Sequence, residues 1–282
     1  MKNYSDDQIS LLELLAFKED VFLMVAPSFV VDFDYKTFVP LMKGLGFDKV
    51  FEITFGAKMV NNNYQKFIVS NKDQEKFISS TCPLSVNLII AKYPNLKKFL
   101  LPFNSPMIAM AKIIKKNFSK NKIVFLSPCN AKKIEAKKSG LIDCVITFKE
   151  LKDIIEKEKP IPMKCSHLFD RFYNDYTKIY PLPGGLTKTL HLKGIFKENE
   201  TISVDGQRNI INLFDSKPKQ KFFDILFCKG GCIGGDGISI KTPIFFKKFS
   251  VTSYLKQSSK EKIGNRKGLE KYTKGISFKK KF

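Results

Sequence analysis

The sequence predicts an α/β fold built on mainly parallel sheet. Short apolar runs of strand length alternate with segments of helical periodicity along most of the chain. Several of these runs are apolar throughout and read as buried strands. Two units share one plan: an apolar strand, a turn holding Cys and Pro, then a helix. With 282 residues and 43% hydrophobic content, the chain can form one large domain or two small ones around a proper core.

Residues 5–18, SDDQISLLELLAFK, predict an amphipathic helix with an acidic first turn. VFLMVAP (21–27) predicts a buried strand ending at Pro27. A helix is expected around Phe38–Met42, stopped by Gly44 and Gly46. KVFEITFG reads as a strand, and AKMVNNNYQKFIVS after Gly56 has helical spacing. KFISSTCPLSVNLII predicts a short strand, a turn at Thr81–Pro83 and a helix from Pro83, where the missing proline N–H costs nothing. NKIVFLSPCNAKKIEAKK repeats that plan around Cys129. DCVITFKELKDIIEKEKP predicts a strand and a helix opened by a Thr147/Glu150 capping box and stopped by Pro160 and Pro162. YPLPGGLTKTL (180–190) is a Pro-Gly-Gly loop leading into a short element. FFDILF (222–227) predicts a buried strand leading into CKGGCIGGDG. No repeat of fixed period occurs.

The formal charge is +22, which points to an anionic partner such as nucleic acid, a membrane surface or an acidic protein. Residues 241–282 hold 13 basic and 2 acidic residues, half of the net excess. They read as a solvated basic tail following a domain of residues 1–240. The polar start MKNYSDDQIS reads as no secretory leader, and the run VFLMVAPSFVV is too short to span a bilayer. A reducing, cytoplasmic setting is therefore expected. There, cysteines act as ligands, catalytic groups or buried apolar residues rather than disulfides.

Six cysteines are present, with two histidines, His167 and His191. Cys144 lies inside a strand and reads as a small core residue. Cys165 also reads as structural. Cys82, Cys129 and Cys228 each follow an apolar strand, the place where ligands bind in open α/β sheets. Cys232 follows Cys228 in a glycine-rich loop. The spacing is poor for a zinc ribbon, and suits an iron–sulfur cluster gathered from separate loops. Glycines such as Gly230 and Gly231 would let the backbone approach inorganic sulfide. Zinc and unrelated structural cysteines stay open on spacing alone. There is no Walker loop, no G-x-G-x-x-G after a strand, and no motif for a Cys-His hydrolase.

SSTCP (79–83), SPCNAKKIEA (127–136) and FCKGGCIGG (227–235), in this order, resemble the signature loops found in the C-terminal domain of the iron-only hydrogenase large chain. APSF (26–29), GFDKVFEITFGA (46–57), NSPMIAMAK (104–112), CVITFKEL (144–151) and PGGL (183–186) agree, and look closest to its sensory-type branch. The resemblance runs from about residue 5 to about residue 240. It implies two lobes of mainly parallel sheet flanked by helices, with the cofactor between them at the strand C-terminal ends. The implied cofactor is the H-cluster, a 4Fe-4S cubane joined through a cysteine to a two-iron subcluster carrying CO, cyanide and a dithiolate. Cys82, Cys129, Cys228 and Cys232 would hold the cubane, with Cys232 as the bridge. Lys132 would pair with a cyanide, a strong charge-assisted contact in a dry pocket. Ala26, Pro27 and Ser28 would line the two-iron unit, with Ser105 near it. The implied function is sensing or slow turnover of H2. A 4Fe-4S protein without catalysis, and a binding module acting through the basic tail, are the alternatives. Implied partners are an electron donor such as a ferredoxin, separate maturation proteins and, for the sensory branch, a signalling partner.

The departures all bear on proton delivery or on the cofactor pocket. Thr81 stands where turnover enzymes have a proton-relaying cysteine, and a hydroxyl is a poor relay near neutral pH. KMVNNNYQKF lacks the glutamates of the family's proton path. Ser127 replaces a methionine, LSVN replaces an aromatic residue, and Asp236 breaks the glycine run. The chain begins within the family's linker helix (1–20) and carries no C-x2-C-x2-C run, so electrons would come from elsewhere or the copy is truncated.

Overall fold

The computed structural model describes residues 3–16, 19–170, 172, 176–261 and 269–282. The first helix, α1, covers Asp6–Ala16; residues 17 and 18 of the expected helix lie outside the described residues. The first lobe continues with β1 (Asp20–Val25), α2 (Tyr35–Leu45), β2 (Lys49–Glu52) and α3 (Thr54–Ser70). Then come β3 (Phe77–Ile78), α4 (Pro83–Lys92), α5 (Pro106–Asn117), β4 (Asn121–Ser127), α6 (Ala131–Ser139), β5 (Cys144–Thr147) and α7 (Phe148–Glu158). The remaining elements are α8 (Gly185–Thr189), β6 (Thr201–Asp205), α9 (Gln207–Asp215), β7 (Phe222–Leu226) and α10 (Ile244–Ser258).

Two sheets result, in the orders β2-β1-β4-β5 and β3-β7-β6. Every ladder in both is parallel. β1 is buried from Val21 to Val25 and β7 throughout, so helices cover both faces, as parallel sheets require. The α/β architecture and the two sheet lobes agree with the sequence reading. So does the capping box: Thr147 Oγ1 accepts from Glu150 N, and Glu150 Oε2 accepts from Thr147 N at 2.8 Å.

Two junctions differ. Gly44 lies inside α2 rather than ending it; a Cβ there would stand 2.0 Å from the Ile161 carbonyl oxygen, so it admits the chain leaving α7. Gly46, at φ +116°, makes the stop. KVFEITFG is strand only to Glu52, because α3 starts at Thr54 and must bring Gly56 against α5, where a Cβ would meet the Pro106 carbonyl at 2.5 Å.

The larger correction concerns residues 241–282. The described ones, 241–261 and 269–282, do not form a solvated tail. α10 buries Val251 and Tyr254 in the main core, and Phe278 joins the same core. Tyr254 donates to buried Glu52 at 2.9 Å and accepts from buried Lys178 at 2.6 Å. Past residue 276 the chain runs beside 102–104, with Asn104 N donating to Phe278 O at 2.8 Å and Lys280 N to Pro102 O at 2.9 Å. Lysines dominate the composition of this segment, and the buried face of α10, Lys247, Val251, Tyr254 and Ser258, is only half apolar.

Candidate functional site

β1 and β4 are neighbours in one sheet, and β3 and β7 are neighbours in the other. The turns after these four strands carry Ala26–Ser28, Cys129, Cys82 and Cys228. One cleft lies among them, with almost wholly apolar walls. Cys82, Cys129 and Cys232 line it, with Ala26, Pro27, Ser28, Thr81 and Lys132. Among the described residues, Lys132 is the one charged side chain in that lining.

Each cysteine is set by its own local device. Cys82 is the N-cap of α4, extended at φ −97° and ψ 114°, with Pro83 opening the helix. Cys129 sits in a Ser-Pro-Cys turn that Ser127 closes, its Oγ accepting from Cys129 N at 3.1 Å and donating to Cys129 O at 2.7 Å. A methionine could make neither bond, so Ser127 has a structural use here. Cys232 N donates to Pro181 O at 2.8 Å, and Gly231 N to Cys228 O at 3.0 Å. Cys228 is half-buried on the same loop, outside the cleft lining.

The third loop is bound to the second. Asp236 accepts from Asn130 N at 3.0 Å and from Asn130 Nδ2 at 2.8 Å. Gly237 N donates to Pro128 O at 2.9 Å. A Cβ on Gly235 would stand 2.2 Å from that oxygen. Asp236 thus clamps two cysteine loops together. Gly230 and Gly231 do not border the cleft. Beside them the space is taken by Ile244 (2.6 Å), and by the Pro181 carbonyl (2.6 Å) and Leu226 (2.9 Å), respectively. These glycines bring backbone against protein, where the sequence reading gave them room for sulfide.

Burial pushes the Cys228 thiol up to about 12 and Cys232 well above its usual value, with neighbouring cysteines raising both further. Cys129 is raised by burial as well, against the opposing pull of Lys132. The thiols of Cys129, Cys228 and Cys232 thus hold their protons until a cationic centre takes their charge. Among the described residues, no three of His, Cys, Asp and Glu converge as ligands of one ion. A cubane differs, because each thiolate binds a separate iron and the sulfurs stand further apart. One further feature suits a guest: Ser28 Oγ is buried on the cleft wall with no partner among the described residues.

Lys132 lines the cleft beside a carboxylate. Its ammonium lies 2.6 Å from Glu135 Oε2 and 3.3 Å from the Thr81 carbonyl oxygen. Burial alone would pull it down, but Glu135 and the thiols of Cys129 and Cys82 bring it above its usual value. Its charge is thus met by a carboxylate of its own helix. The sequence reading missed Glu135, although the i,i+3 spacing was there to be seen. It also missed Tyr180, a cleft-lining side chain whose hydroxyl donates to Asn61 Oδ1 at 3.2 Å. Asn61 lies within KMVNNNYQKF, the stretch without carboxylates. Ser105 is fully buried and caps α5 through Ile108 N at 3.5 Å; Pro106 and Met107 border the cleft in its stead. Cys144 is a buried core thiol and Cys165 is exposed. His167 pairs with Glu261 at 2.9 Å, remote in sequence from every cysteine loop.

The family model described as "Iron only hydrogenase large subunit, C-terminal domain" matches residues 19–236. The chain belongs to this family. Iron hydrogenase 1 of Clostridium pasteurianum is 26% identical over 265 residues, covering 74% of this chain and 46% of the relative. The cytosolic Fe-S cluster assembly factor NAR1 of Encephalitozoon cuniculi is 27% identical over 207 residues, covering 64% of this chain and 56% of the relative. The chain therefore spans about half the length of the curated relatives it matches. Among solved structures, an [FeFe]-hydrogenase studied for oxygen inactivation superposes with a TM-score of 0.72 at 16% identity, covering 93% of this chain and 91% of the other. A variant of the [FeFe]-hydrogenase of Chlamydomonas reinhardtii gives 0.68 at 18% identity, covering 88% of each. At these identities the likeness is one of fold. Among the described residues no helix is long and apolar enough to cross a membrane.

Proposed function

We propose that this iron-only hydrogenase family member holds a 4Fe-4S cluster on Cys82, Cys129, Cys228 and Cys232 and works without H2 turnover, in iron–sulfur assembly or electron transfer. The observation that carries this reading is the Lys132–Glu135 pair. The carboxylate at 2.6 Å offsets the ammonium's charge and weakens what it offers an anionic iron ligand. Thr81 adds to this, since its hydroxyl is a poor proton relay near neutral pH. The likeness to an assembly factor fits a cluster used for transfer or regulation, at work in the cytoplasm. When bound, the cluster would supply a reversible one-electron store. The chain's own part would be to fix four thiolates from two sheets and to keep water away with apolar cleft walls.

A second reading has its own observation. The cleft beside Cys232 is open, and the buried Ser28 hydroxyl facing it lacks a partner among the described residues. These would suit the two-iron subcluster with its CO, cyanide and dithiolate. The chain would then be an H2 sensor or slow hydrogenase of the sensory type, with Cys232 as the bridging thiolate. Infrared spectra of anaerobically matured protein separate the two. Four irons per chain without CO or cyanide bands support the first reading. Bands that respond to H2 would establish the second, and a chain that retains no iron would sink both.

A further inference from the structure

We propose that the start of α10 and the tip of the third cysteine loop form a docking surface for the anionic face of a lipid membrane. Phe245, Phe246 and Phe249 are 73%, 58% and 65% exposed, and Ile240 precedes them at 36%. The rings of Phe245 and Phe246 meet edge to face at 5.6 Å, and Phe245 and Phe249 lie one helical turn apart. None of them lines the cleft, so this surface stands apart from the cluster reading. The helix cannot turn them inward. Its opposite side is fixed in the core by Val251 and Tyr254, and Tyr254 is bonded to buried Glu52 and Lys178 at 2.9 and 2.6 Å. An aromatic cluster left in water on a helix anchored this firmly marks an interaction site.

Charge and shape select the partner. Exposed Lys229 and Lys241 lie on the chain leading to α10, and exposed Lys248 and Lys256 lie on the helix itself. Residues 237–260 hold five lysines and no Asp or Glu. Asp236, the nearest acid before them, is engaged by Asn130. Aromatic side chains set among lysines suit a helix that rests in a membrane interface. The rings enter the boundary between headgroups and acyl chains, and the ammonium groups meet anionic headgroups. Rings that protrude this far need a matching hollow in a protein partner, whereas a lipid interface closes around them. A second copy of a chain of charge +22 would be repelled. Ile244 packs on the third loop, 2.6 Å from where a Gly230 Cβ would stand and 3.4 Å from that of Gly234. Docking would therefore hold that loop against the lipid surface with no element unfolding.

The test uses the full chain, anaerobically purified, floated with vesicles of phosphatidylcholine alone or mixed equally with phosphatidylserine. It should float with the mixed vesicles, less so at high salt, and bind phosphatidylcholine alone about tenfold more weakly. Lys241→Glu/Lys248→Glu, and separately Phe245→Ser/Phe249→Ser, should each weaken binding about tenfold, with Tm and iron content unchanged. Lys97→Glu/Lys98→Glu makes the same change of charge at another exposed site and should bind as the parent does. The chain has no Trp, so Phe249→Trp gives a single reporter whose emission should shift to the blue on the mixed vesicles. No flotation, an unshifted reporter, or equal losses from the two lysine pairs would overturn the proposal. So would tight binding of single-stranded RNA or of an acidic protein through these residues with none to vesicles.

Discussion

Replacing Glu135 by Gln should destabilise the protein more than any exposed charge substitution. Lys132 and Glu135 keep 13% and 10% of their side-chain surface and lie 2.6 Å apart. Removing one partner of a buried pair costs about 3–5 kcal/mol, because the other charge is left uncompensated. The ammonium keeps its bond to the Thr81 carbonyl and some access to water, so about 2–3 kcal/mol is the expected loss. For a domain of this size that lowers Tm by roughly 4–10 °C. The assay is thermal unfolding of the iron-loaded protein under anaerobic conditions, with iron counted before and after. Replacing both residues, Lys132→Met with Glu135→Leu, should recover most of the loss, since an apolar pair of similar volume replaces a buried ion pair at little cost. The reasoning fails if E135Q melts within about 1 °C of the parent with unchanged iron, for a spent charge could not then be what Glu135 provides.

Substituting Cys82, Cys129, Cys228 or Cys232 by Ser should each lower iron content, while Cys144→Ser and Cys165→Ser leave it intact; iron and sulfide assays decide. Gly237→Ala should also lower it, since the new Cβ would stand 2.8 Å from the Pro128 carbonyl carbon and 3.0 Å from Cys129 N, and circular dichroism would show the fold retained. Asp224 is fully buried, and burial raises its carboxyl from 3.8 to about 6. A raised acid favours the protonated folded state, so its contribution is complete below pH 3.8 and is lost as the pH rises through 6. The loss is on the order of 3 kcal/mol. Asp224→Asn keeps an acceptor for Thr187 and should flatten stability between pH 4 and 6 in urea titrations, where the parent falls.

The cysteine turns were legible in the sequence because each device is local. A proline after Cys82, a serine two before Cys129 and a strand of apolar residues before Cys228 all act within a few positions. Thr147 and Glu150 were legible for the same reason. The Asp236–Asn130 clamp spans 106 positions, and no pattern along the chain announces which loop an aspartate will meet. α10 was hidden differently: its lysines set the composition, and its buried face, Lys247, Val251, Tyr254 and Ser258, holds only two apolar residues. Gly230 illustrates a third case. The residue type was informative, but only the position of Ile244 tells what its missing side chain makes way for.

The pairing of β3 with β7 carries a consequence for the order of synthesis. β3 is two residues long, and its ladder partners are Phe222 and Phe223. More than three quarters of the chain must leave the ribosome before that partner exists. The first sheet can close earlier, since β1, β2, β4 and β5 all precede residue 148. Cys129 is then in place while Cys82 follows a strand bridged only to Leu100 and Cys232 is still unmade. A cluster held by all four cysteines could form only after residue 232 is made, and the nascent chain passes through a stage with one finished sheet and a bare thiol at its edge.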